Sequence, residues 1–107
     1  MLIKYNANQK YTTDGIAEAL FKKLLQKEEI PYQEYTNRSD IAGGSTLGNL
    51  SNEKISLNTV DMGAAQLAMH SAYETGGTKD TLSLVDGIRI FYESRIQMEE
   101  DGRYRCY

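Results

Sequence analysis

The sequence predicts an α/β protein with helices packed on a small sheet, and three observations carry that reading. Short alternating runs and longer amphipathic runs follow one another in the order strand, helix, strand, loop, strand, helix. The 107 residues are 40% hydrophobic and 25% charged, which is ordinary globular composition at a length that buries one core. The single cysteine, Cys106, rules out an internal disulfide and a Cys-only zinc site, so apolar packing has to hold the fold. An element order of this kind also needs at least one crossover connection.

Leu2, Ile3 and Tyr5 flank Lys4 in an extended run that ends in the polar stretch Asn6 to Lys10, a strand running into a loop. Thr12, Thr13 and Asp14 are all able to cap a helix. Ile16, Ala17, Leu20, Phe21, Leu24 and Leu25 then recur at the three-four spacing of one buried stripe. Pro31 is expected to stop this helix, because the residue before a proline is pushed out of the helical region. Tyr32 to Tyr35 reads as a second short strand. Asn37 to Asn52 turns to Gly, Ser, Asn and Thr and reads as a loop leading into one helical turn. Ile55 and Leu57 suggest a third strand running to Val60 and breaking at Gly63. Asp80 or Thr81 is expected to cap a last helix with a buried face of Leu84, Val85, Ile88, Phe91 and Tyr92. Residues 1–94 thus form the folded segment, and 95–107 are expected to be a poorly ordered tail. A sheet of three or four strands would leave two unpaired rims, a liability that hints at a missing partner.

Twelve Lys and Arg against fifteen Asp and Glu give a net charge of -3, which argues against nucleic acid as a partner. The first ten residues lack the apolar core of a signal peptide, and no apolar run approaches membrane-spanning length. A cytoplasmic protein without a membrane partner is expected.

The loop Gly43-Gly44-Ser45-Thr46-Leu47-Gly48 approaches two catalytic signatures and satisfies neither. Asn49 stands where a phosphate-binding loop requires lysine, and Leu47 takes the place of the second glycine of a nucleophile elbow. Its glycines would still let backbone N–H groups approach a ligand closely. His70, the single histidine, follows an apolar run and, taken alone, reads as a half-buried, hydrogen-bonded side chain rather than a metal ligand. Asp40, Asp61 and Glu74 are the carboxylates that could join it, with Glu74 four residues on and able to orient it. Lys4 could reach an anion, although a lysine among apolar neighbours usually snorkels to solvent. Tyr11 could donate a phenolic hydrogen bond, although most tyrosines simply pack.

The order of these pieces says more than any one of them. Ile3-Lys4-x-Asn6-x-Asn8-Gln9-x-Tyr11-x-Thr13, then Asn37-Arg38-Ser39-Asp40 with Gly44-Ser45-Thr46-Leu47-Gly48, then Val60-Asp61-x-Gly63-x-x-Gln66-Leu67-Ala68-Met69-His70-Ser71 resembles the aspartyl aminopeptidase family, the dinuclear zinc exopeptidases of metallopeptidase family eighteen. The resemblance runs from Ile3 to about Tyr92 and covers the C-terminal part of the catalytic domain, so the fold it implies is a segment of an α/β/α zinc-peptidase domain. It implies that His70 is a terminal ligand of one of two zinc ions. It implies further that Lys4 and Tyr11 line the substrate pocket, and that Gly44, Ser45 and Thr46 form another wall of it. No catalytic residue is expected in this chain, because the bridging aspartate, the paired glutamates and the other ligands of the family's site would precede Met1. Ala65, Asn49 and Tyr73 depart from the family's usual proline, proline and arginine, which bears on substrate preference.

Two readings follow. The first is a C-terminal fragment of a zinc aminopeptidase that removes N-terminal residues from peptides, inactive alone and at most a weak zinc binder. The second is a non-catalytic binding or assembly module that keeps the fold without the metal centre. Under either, a homo-oligomer or a missing N-terminal segment would cover the apolar surface left bare. Lys4, the Gly44–Thr46 loop and His70 are expected to converge at one end of the sheet.

Overall fold

A computed structural model of the chain describes residues 1–4, 13–36, 40, 46–55 and 57–107. In chain order the elements are β1 (Leu2–Lys4), α1 (Gly15–Lys27), β2 (Gln33–Tyr35), α2 (Leu47–Asn52), β3 (Asp61–Gly63), β4 (Gln66–Leu67), β5 (Thr75–Gly76), α3 (Thr78–Glu93), β6 (Ile96–Met98) and β7 (Tyr104–Cys106). This is the mixed α/β architecture expected, divided among the described residues over one three-stranded sheet and two hairpins.

The helix α1 forms where the sequence places it. Asp14 is extended at the N-cap, and its Oδ1 accepts from the Ala17 N–H at 2.7 Å, satisfying one of the free donors of the first turn. Glu18 in the first turn and Lys27 in the last complement the helix dipole. The helix ends at Lys27, ahead of Pro31, and its stop is local. Glu29 takes a left-handed φ of 55°, the Ile30 N–H donates to the Leu25 carbonyl at 2.9 Å, and the Glu29 N–H donates to the Gln26 carbonyl at 3.2 Å. That is a Schellman motif, with buried Ile30 and Leu25 as its apolar pair.

In the sheet the order is β2-β1-β3, with β1 parallel to β2 and antiparallel to β3. The parallel pair makes β1–α1–β2 a crossover unit, as the element order requires. Ile3 lies opposite Glu34 and Met62 and is fully buried, so this face of the sheet carries the core. Met1, Phe21, Leu24, Leu25, Ile30 and Ile90 complete the buried cluster. Each such side chain contributes about 1.5–3 kcal/mol on removal from water.

Several expectations are corrected. The third strand is Asp61–Gly63, not 55–60, and Ile55 and Leu57 remain 60% and 53% exposed. Register decides this, since it is Met62 that comes opposite Ile3. Ile16, assigned to the buried stripe of α1, is also exposed. The helix α3 starts earlier than expected, with Gly77 at the N-cap and Asp80 in the first turn, and it buries Ser83, Gly87 and Ile90. Of the face expected to be buried, Leu84 is half-buried against the core, whereas Val85, Ile88, Phe91 and Tyr92 stay exposed. Gly87 explains the phase, because a Cβ there would stand 3.1 Å from Met1 Cε and 3.4 Å from Leu25 Cδ2. The absent side chain lets α3 approach the core backbone-first. Finally, the expected tail contains a hairpin, β6 with β7 antiparallel, turning at Gly102 with a φ of 84°.

Candidate functional site

Lys4 closes β1, opposite Tyr35 of β2 and Asp61 of β3. Alternation along a strand puts Lys4 and Asp61 on the face away from Ile3 and Met62, so neither is drawn into the apolar core. Gly63 gives Lys4 its path, since a Cβ at that position would be 3.2 Å from both Cε and Nζ of Lys4. The lysine stem therefore lies over the bare backbone of β3, half-buried rather than extended into solvent.

Asp61 ties two further segments to this end of the sheet. Its carboxylate accepts a short hydrogen bond from the Thr46 hydroxyl, and its backbone N–H donates to Thr13 Oγ1 at 2.7 Å. Thr13 also forms a parallel bridge with Thr59, and the Asp14 N–H donates to the Thr59 carbonyl at 3.3 Å. The segment before α1, the residue before α2 and the entry to β3 thus meet at the C-terminal end of β1, the end of an α/β sheet where loops gather around ligands. Of the sequence-predicted residues, Lys4 and Thr46 are brought together here. Tyr11, Gly44 and Ser45 lie outside the described residues.

His70 stands on a different sheet, in the loop of the β4–β5 hairpin. It is exposed, not half-buried. Its backbone is left-handed at a φ of 70°, and Ala68 two residues earlier has a φ of 51°. Left-handed backbone costs a residue with a side chain about 1–2 kcal/mol, so the turn is held by its own bonds. The His70 N–H donates a short hydrogen bond to Glu74 Oε1, and the Ser71 N–H donates to the Ala68 carbonyl at 3.0 Å. Glu74 thus fixes the backbone that presents the imidazole. Asp40, the third candidate carboxylate, is exposed in a turn.

A cavity of about 500 Å³ opens elsewhere, between α1, α3, β3 and the β6–β7 hairpin. Its walls include Phe21, Leu24, Met62, Phe91 and Tyr104, and Met62 belongs to the face of β3 opposite Lys4 and Asp61. An apolar cleft without converging charges is not where hydrolytic chemistry is built. Sequence reasoning missed the tie that Asp61 makes and the passage that Gly63 opens. The signal was their spacing, which places residues 61 and 63 on one face of a strand.

A model of the aminopeptidase I zinc metalloprotease (M18) family matches residues 1–92. The chain belongs to the M18 family. It is 39% identical over 93 residues to a probable M18 family aminopeptidase 2 of Pseudomonas paraeruginosa, covering 87% of this chain and 22% of that protein. A probable aspartyl aminopeptidase of Ricinus communis is 37% identical over 93 residues, with 87% and 19% covered. Among solved structures, a chain in the cryo-EM structure of the Ape4 and Nbr1 complex superimposes with a TM-score of 0.82 at 37% identity, over 86% of this chain and 18% of that one. The chain therefore spans about a fifth of the length of these M18 relatives.

The family is one of zinc metalloproteases, and the exposed imidazole of His70 has the chemistry of one zinc donor. An exposed imidazole on a fixed turn is a sound zinc donor, but a site needs three or four donors. Among the described residues no group of three or more His, Cys, Asp or Glu side chains stands close enough to hold a metal. No helix among them is long and apolar enough to cross a membrane.

Proposed function

We propose that this chain is the part of an M18 aminopeptidase that contributes one zinc ligand, His70, and part of the substrate pocket, Lys4, Tyr11, Gly44, Ser45 and Thr46, and that it has no peptidase activity by itself. The parent enzyme hydrolyses N-terminal residues from peptides. The observation that carries this reading is the gathering of Lys4 and Thr46 around Asp61 at the loop-bearing end of β1. An ammonium beside hydroxyl and backbone donors suits a peptide substrate's carbonyl or carboxylate groups. Bound zinc would polarise the attacked carbonyl and the attacking water. Removing the proton from that water takes a positioned carboxylate supplied from outside this chain.

Assays of the purified chain on aminoacyl chromogenic substrates, with zinc, manganese or cobalt added, should give no turnover. Turnover that survives further purification would overturn the proposal. Calorimetric titration with zinc should show weak binding that His70→Ala abolishes.

The second reading, a non-catalytic module in the cytoplasm, draws support from the separation of His70 and Lys4 on different sheets. Reconstitution distinguishes the two. Adding the preceding segment of an M18 relative should restore peptidase activity under the first reading and leave it at zero under the second.

A further inference from the structure

The family match stops at residue 92, yet the chain beyond it is folded. In β6 and β7 the register pairs Ile96 with Cys106 and Met98 with Tyr104 on one face, and Gln97 with Arg105 on the other. One face of the hairpin is therefore apolar and the other polar, the pattern of a ribbon built to lie on something. A two-stranded ribbon is marginal by itself in water, so its stability has to come from what it covers.

What it covers is in the structure. Ile96 and Cys106 pack against the buried core cluster, and Ile96 and Tyr104 form one wall of the 500 Å³ cleft whose other walls come from α1, β3 and α3. The ribbon leaves α3 at Ser94 and returns against α1 through β7. Its own bonds close it at both ends. Arg95 and Tyr107 exchange backbone hydrogen bonds of 3.2 and 2.8 Å, and the Glu99 N–H donates to the Arg103 carbonyl at 2.7 Å beside the turn. Arg105 pairs with Glu99 at 3.0 Å, and the guanidinium carbons of Arg95 and Arg105 each lie 6.0 Å from the centre of the Tyr107 ring.

We propose that residues 95–107 are an intramolecular clasp, an addition beyond the family segment that binds the end of α3 to α1 and shields the apolar cleft between them. The clasp lowers the exposure of Phe21 and Leu24 on α1, side chains that would otherwise form an open apolar patch together with Ile88 and Phe91. The inference is independent of any role of the chain in peptide hydrolysis.

Three measurements test it. In the full chain, hydrogen exchange at the Arg95 and Tyr107 amides should be at least about tenfold slower than in an unstructured peptide of the same sequence. Ile96→Asp in the full chain should lower the melting midpoint by about 5–10 °C and raise binding of an apolar fluorescent dye, while Gln97→Asp on the outer face should leave both unchanged. A chain ending at Ser94 should melt still lower and sediment as larger species. If it fails to fold at all, the exchange and Ile96→Asp measurements decide. Unprotected amides at Arg95 and Tyr107, or a midpoint and dye binding unchanged by Ile96→Asp, would overturn the clasp.

Discussion

Lys4 and His70 are held in place by opposite means. Lys4 owes its position to long-range pairing, since β1 lies between strands that follow it by about 30 and about 60 residues, and its neighbour Ile3 is locked in the core. His70 owes its position to the loop 68–74, held by Glu74, in a hairpin paired with itself and exposed along its length. The first arrangement survives only if the whole domain is folded. The second should persist, or change, almost independently of the core. Under the proposed function, His70 as a zinc ligand would be reoriented cheaply on such a hairpin when the rest of its ligand set arrives, whereas Lys4 on a central strand would meet substrate already positioned.

The largest expected effect sharpens that contrast. Ile3→Ala should cost about 2–5 kcal/mol in urea unfolding, because it opens a cavity in the fully buried centre of the sheet. Its proton spectrum should lose the dispersed signals of β1 and β3 together. Asp61→Ala should cost about 1–3 kcal/mol by leaving the Thr46 hydroxyl without this partner, measured in the same way. Glu74→Ala should change global stability by less than about 1 kcal/mol while speeding amide exchange at His70. A Glu74→Ala cost equal to that of Ile3→Ala would erase the distinction between the two regions.

The smallest effect concerns Lys22 on α1, which pairs with Glu18 and with Glu34 of β2. Hydrogen bonds to Glu18 and then Glu34 raise its ammonium above the ordinary lysine range. The stabilisation is therefore whole below about pH 10 and is lost as pH climbs through the raised folded-state value. Lys22→Met should cost under about 1 kcal/mol at neutral pH, since the pair is near the surface, and that difference should vanish in strong alkali. Chemical denaturation at pH 7 measures the first, and a series from about pH 10 upward should show the difference shrinking as pH rises.

Much of the fold was legible because it rests on side-chain periodicity. The stripe Ala17, Phe21, Leu24 and Leu25 and the cap Asp14 specify α1 without help from the rest of the chain. The helix α3 was found but its phase was not, because its buried face turns on Gly87 and Ser83, small residues that pack by what they lack. Apolar alternation at Ile55 and Leu57 imitated a strand that register places at Asp61–Gly63 instead. In the tail, the alternation is split between Ile96–Met98 and Tyr104–Cys106, and neither half is long enough to declare itself. Lys4, Thr46 and His70 were nominated through the family resemblance. Their geometry was not accessible that way, since it depends on Asp61 joining segments far apart in the chain.

The placement of β1 inside the sheet also bears on how the molecule assembles. The strand precedes both of its partners, so it gains one neighbour only after α1 has been traversed and the second only after residue 63. Closing contacts of that span costs chain entropy before it returns any burial. The capped helix α1 can form early, with its Schellman stop drawing Ile30 onto Leu25 before any strand has paired. Refolding should therefore be paced by the return of β3 to β1, the pairing that positions Lys4.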